Sequence, residues 1–135
     1  MSITRNDISK TNKYWIPKER YLELKHFCLQ YEDYVRRIHG ADGLMARGSE
    51  YYISSGFSDP TEKLALLRLK NSVRKEMIDS AAKETDEFLS IYILKAVTED
   101  CSYENLRTMY NIPCSRSEYY ILYRKFFWIL DKNRD

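Results

Sequence analysis

Pro113 is followed two positions later by Ser115-Arg116-Ser117-Glu118, and this stretch constrains the fold more than any other part of the chain. Proline disfavours the α conformation at the residue before it, so a helix does not run through Ile112. The Ser-x-x-Glu tetrad reads as a capping box: the Ser115 hydroxyl accepts from the Glu118 backbone N–H, and the Glu118 carboxylate returns to the backbone of Ser115. A new helix is therefore predicted from residue 116. Upstream, Ser102 can cap a helix that carries Tyr103, Leu106, Met109 and Tyr110 at helical spacing and ends at Asn111-Ile112-Pro113-Cys114.

Cys101 to Leu130 thus reads as two short helices joined by a tight turn, the layout of a helix-turn-helix over residues 102–130. Such motifs place the second helix in the DNA major groove. On that helix Tyr119, Leu122 or Tyr123, Phe126, Phe127 and Leu130 form the inward stripe, which leaves Arg116, Ser117, Tyr120 and Arg124 near its outward, N-terminal part. These four, with Tyr123 and Lys125, are the candidate DNA-binding residues. The same periodicity also occurs in all-α proteins that bind no nucleic acid, and an aromatic stripe is then plain core.

The rest of the chain also reads as helix. Residues 1–16 form a basic arm with Arg5, Lys10 and Lys13, followed by Tyr14-Trp15-Ile16 as an anchor onto the body. Pro17 opens an amphipathic helix to about residue 38, with Leu24, Phe27, Cys28, Tyr31, Tyr34, Val35 and Ile38 at intervals of three and four. All four glycines fall between residues 40 and 56 and mark a long loop, 40–58. Asp59-Pro60-Thr61-Glu62 restarts helix to about residue 83, with Leu66, Leu69, Val73, Met77 and Ala81 as its apolar stripe. Lys63, Arg68, Lys70, Arg74 and Lys75 crowd the rest, either as a solvated face partnered by Glu62 and Glu76 or as a phosphate-contacting surface. An acidic stretch, Glu84 to Glu87, opens a further helix carrying Phe88, Leu89, Tyr92, Ile93, Ala96 and Val97. The expectation is an all-α fold of about five helices, with residues 17–135 as a single helical domain.

Composition narrows the function. With 44% hydrophobic and 31% charged residues the chain is globular, and a formal net charge of +2 requires any nucleic-acid contact to rest on a local patch. The sequence holds no apolar run of membrane-spanning length and no signal-like segment at Met1 to Lys10, which points away from membranes and to a cytoplasmic location. Cys28, Cys101 and Cys114 form no Cys-x-x-Cys pair, and His26 and His39 lie too far apart for a helical metal pair. No phosphate loop or nucleophile elbow is present. The adjacent carboxylates Glu32-Asp33, Asp86-Glu87 and Glu99-Asp100 point in different directions on a helix. A non-enzyme without cofactor or metal is expected.

Tyr103-Glu104-Asn105-Leu106, Ile112-Pro113-Cys114-Ser115 and Tyr123-Arg124-Lys125-Phe126-Phe127 resemble the last DNA-binding region of sigma factors. They resemble still more the small sigma-region-4-like transcriptional regulators of phages and prophages of Gram-positive bacteria. Tyr14-Trp15-Ile16-Pro17 with Leu22-Glu23-Leu24-Lys25 resembles the amino end of phage proteins with the same organisation. The resemblance implies a phage-encoded regulator, acting in the bacterial host cell, that meets double-stranded promoter DNA through the helix from Arg116 and touches host RNA polymerase. Arg116, Ser117 and Arg124 match the polar face of the family's second helix. The chain departs from the family in a recognition helix richer in tyrosine than in arginine or lysine.

A second class of function stands beside this one. The 12 tyrosines exceed what a core needs, and tyrosine is favoured at interface centres. Tyr51, Tyr52, Tyr120 and Tyr123 would then anchor a protein-binding module, such as a phage inhibitor of a host nucleic-acid enzyme (a CRISPR effector, for example), or a packaging subunit. Helix-turn-helix proteins are often homodimers, although no heptad run here is long enough for a coiled coil.

Overall fold

The structure is a computed structural model that describes residues 13–39 and 60–134. These residues hold six helices and no strand: α1 (Lys18–Leu29), α2 (Tyr31–His39), α3 (Pro60–Thr85), α4 (Ser90–Glu99), α5 (Tyr103–Tyr110) and α6 (Arg116–Arg134). The protein is all-α. The arm up to residue 12 and the loop 40–58, with Tyr51 and Tyr52, lie outside the described residues.

One helix more than expected arises because the element starting at Pro17 is divided at Gln30. The side-chain amide of Gln30 donates to the His26 carbonyl at 3.1 Å, the acceptor its own backbone N–H would use in a continuing helix. That N–H turns instead to the Phe27 carbonyl at 3.4 Å, a tightened closing turn.

The described residues group into two compact units, residues 13–30 with 77–134 and residues 31–39 with 60–76. In the larger unit α1 packs on α4 and α6, and α4 packs on α5 and α6. Its core draws Leu24 and Cys28 from α1, Ile93 from α4, Leu106 from α5, and Phe126 and Leu130 from α6, all fully buried. Phe127 receives Tyr21, Tyr123 and Phe126 in edge-on contacts with centroids 5.0 to 5.1 Å apart, the geometry that opposes positive ring edges to negative faces. Two polar ties join α1 to α6: Arg20 to Asp131 at 2.6 Å, and the Tyr21 and Tyr123 hydroxyls 2.9 Å apart.

In the smaller unit Tyr34 and Leu64 are buried, and the Arg74 guanidinium and the Lys75 ammonium lie 5.8 and 5.7 Å from the rings of Tyr34 and Tyr31. These cations, read as a solvated or phosphate-facing surface, are thus in part turned to aromatic rings.

Of the apolar stripe expected along α3, Ala81 alone is buried. Leu66, Leu69 and Val73 are 51, 60 and 46% exposed, and the covered row is Leu64, Asn71, Ile78 and Thr85, spaced by sevens, with Ala81 and Ala82. The two polar members of that row bond back into the helix, Asn71 Nδ2 to the Leu67 carbonyl at 2.8 Å and Thr85 Oγ1 to that of Ala81 at 2.7 Å. Among the described residues no helix is long and apolar enough to cross a membrane.

Candidate nucleic-acid interface

The α5–α6 connection is built almost entirely from side-chain and capping contacts. Ser102 Oγ accepts from the Asn105 N–H at 3.2 Å and starts α5. Asn111 ends it in the left-handed region (φ 54°, ψ 50°), its N–H bonding the Arg107 carbonyl at 3.1 Å while the Ile112 N–H reaches the Leu106 carbonyl at 3.3 Å. The Asn111 bond is the single 5→1 bond of an αL cap, and asparagine is among the few residues besides glycine that occupy its left-handed position readily. Ile112 is buried beneath the turn, and the Tyr103 hydroxyl donates to the Cys114 carbonyl at 2.7 Å. The capping box is formed: the Glu118 N–H meets Ser115 Oγ at 3.2 Å, and Glu118 Oε1 accepts the Ser115 N–H at 3.0 Å.

On α6, a rotation of about 100° per residue fixes which side chains share a face. Taking Ile121 as the origin, Tyr119, Phe126 and Leu130 lie about 140 to 180° away and are buried; Ser117 and Lys125 lie about 40° to either side and Arg124 about 60°. Ile121 is 48% exposed and occupies the middle of the outward face. Ser117 is exposed, and Arg124 and Lys125 are half-buried beside it. The α6 carboxylate that borders this face, Glu118, is engaged by the Ser115 backbone and hydroxyl.

The other candidates face elsewhere. Arg116, about 140° from Ile121, turns toward α5, where it ion-pairs with Glu104 and lies 5.2 Å from the Tyr103 ring centroid. Tyr120 is half-buried with its ring edge-on to Tyr119 at 5.1 Å. Tyr123, offered both on the inward stripe and as an exposed anchor and DNA contact, is half-buried on the inward side: its ring packs on Tyr119 and Phe127, and its hydroxyl is bonded to that of Tyr21. Burial pushes the phenols of Tyr21, Tyr119 and Tyr123 above the ordinary tyrosine value. Sequence reasoning missed Ile121, although the side opposite the Tyr119-Phe126-Leu130 row would have pointed to it.

Apolar residues assigned to helix stripes are also found in solvent. Phe88 is 88% exposed in the turn before α4, where Asp86 Oδ1 accepts the N–H groups of Phe88 and Leu89, and Met109 is exposed as well, as is Ile91, which belongs to none of the expected stripes. Burial raises the thiol of Cys28, the only cysteine fully enclosed, and the half-buried Cys101 and Cys114 are raised in the same direction. Among the described residues no group of three or more histidine, cysteine or acidic side chains is placed to hold a metal ion.

No family model, curated protein or solved structure matches the chain.

Proposed function

We propose that α5 and α6 act as a helix-turn-helix and that the protein is a DNA-binding transcriptional regulator of the phage sigma-region-4-like kind. The observation that carries this reading is the outward face of α6, where Ser117, Ile121, Arg124 and Lys125 stand opposite the aromatic core stripe, from the first turn to the middle of a capped helix. Ser117 offers a hydroxyl to base edges, and Arg124 and Lys125 neutralise phosphates. Arg116 reaches the duplex by exchanging Glu104 for a phosphate. No cofactor takes part, and host RNA polymerase is the protein partner that the sigma-like motifs favour.

A mobility shift on fragments of promoter DNA, at low and near-physiological salt, tests the reading. Binding that falls steeply with salt and survives competitor DNA is expected; Arg124→Ala with Lys125→Ala shallows the salt dependence by about two phosphate contacts. No shift at either salt overturns it. The exposed Phe88 and Ile91 favour the second reading, a phage protein-binding module that inhibits a CRISPR effector or serves packaging. In that case Phe88→Ser with Ile91→Ser abolishes complex formation and leaves helicity intact.

A further inference from the structure

We infer that Ile121 reads a base, and that what it recognises is the 5-methyl group of thymine in the major groove. The inference rests on the DNA-binding reading above and adds to it the chemistry of one base contact.

Five apolar side chains of α6 (Tyr119, Phe126, Phe127, Ile129 and Leu130) are buried, whereas Ile121 stands in solvent at the centre of the opposite face. Its neighbours there are a hydroxyl at Ser117, cations at Arg124 and Lys125, and the Glu118 carboxylate that accepts from the Ser115 N–H and hydroxyl, so an apolar centre is bordered by two cations, a hydroxyl and one engaged acid. The positive border complements DNA and disfavours an acid-free apolar partner. Within the major groove the principal apolar feature is the thymine methyl group, which aliphatic side chains contact directly. A β-branched residue on a helix keeps essentially one χ1 rotamer, so little side-chain freedom is lost when the contact forms.

Register follows from the helix rise. Ser117 and Ile121 are separated by about 6 Å along the axis at about 1.5 Å per residue. That is about two base steps of about 3.4 Å. The thymine read by Ile121 therefore lies within about two base pairs of the position met by Ser117.

The test begins with selection of duplexes from a randomised pool by the full chain. Each thymine of the selected site is then replaced singly by deoxyuridine, which removes only the methyl group. One position should lose about fourfold in affinity, the worth of one buried methyl group. Ile121→Ala should bind the thymine and uridine forms of that position equally, with unchanged helical circular dichroism because the side chain is exposed. Ile121→Val should retain part of the discrimination. Equal discrimination by the parent and Ile121→Ala overturns the assignment, as does a selected site with no uridine-sensitive position. A parent that selects no duplex at all overturns the DNA-binding reading itself, an outcome distinct from the other two.

Discussion

Glu104 on α5 and Arg116 at the first position of α6 form an ion pair across the connection, and the same guanidinium lies over the ring of Tyr103. Both side chains are about half-exposed, at 53 and 56%, so water screens the attraction and the pair contributes no more than about 1 kcal/mol to stability. Its larger effect falls on α6, because it directs the helix's first cation toward the protein. Glu104→Gln should therefore lower the urea midpoint only slightly and, on the proposed DNA-binding reading, tighten DNA binding, since it frees Arg116 and removes a carboxylate from the approach. Fluorescence anisotropy with a labelled duplex checks this. Weaker binding by the variant would mean that Glu104 orients Arg116 for contact.

The capping box predicts a local effect. Ser115→Ala removes the acceptor of the Glu118 N–H and should cost about 0.5–2 kcal/mol, visible in urea unfolding. Hydrogen exchange should locate the loss in the first turn of α6, with the other helices unchanged.

Burial along the helices predicts contrasts between near neighbours. Phe126→Ala should destabilise by about 3–5 kcal/mol and Leu64→Ala by about 2–5, as both side chains are enclosed. Ile121→Ala and Leu69→Ser, at exposed positions, should stay within about 0.5 kcal/mol. Chemical denaturation of the four variants separates the observed faces from the reverse arrangement.

Alkaline pH should weaken the fold in a defined direction. Tyr21, Tyr119 and Tyr123 hold their protons more tightly folded than unfolded, so between the unfolded value near 10 and the higher folded values the native state binds more protons than the unfolded chain. Their stabilisation is complete below about pH 10 and is lost as pH rises through the folded values. Urea titrations from pH 8 to 11 should show this fall, and Tyr123→Phe should make it shallower. An identical slope in the variant would remove Tyr123 from the cause.

How far the sequence discloses this protein depends on whether the deciding interaction is local. The α5–α6 boundary is legible because Pro113 and the Ser115–Glu118 box act within a few residues of one another. The face of α3 is not, since Leu66, Leu69 and Val73 and the row through Leu64 and Ile78 are both compatible with helical burial. What α3 packs against decides between them. Tyr123 is obscure for a related reason: a phenol is stable in a core only if its hydroxyl finds a partner, and that partner, Tyr21, lies 102 residues away. Of the outward set Arg116, Ser117, Tyr120 and Arg124, the periodicity places Ser117 and Arg124 on the face that is found, and Ile121 becomes legible only from its position opposite the Tyr119-Phe126-Leu130 row.

All four glycines lie between residues 40 and 56, which leaves the turn between α5 and α6 without one. A glycine turn bends because its backbone is free; this turn is held by Asn111, by the Tyr103 hydroxyl on the Cys114 carbonyl and by the Glu118 carboxylate. Its unfolded ensemble is correspondingly narrower, and Pro113 narrows it further. The entropy of fixing α6 is therefore met during folding. A partner docking on that helix finds a surface already set, and little of the interaction is spent on ordering it.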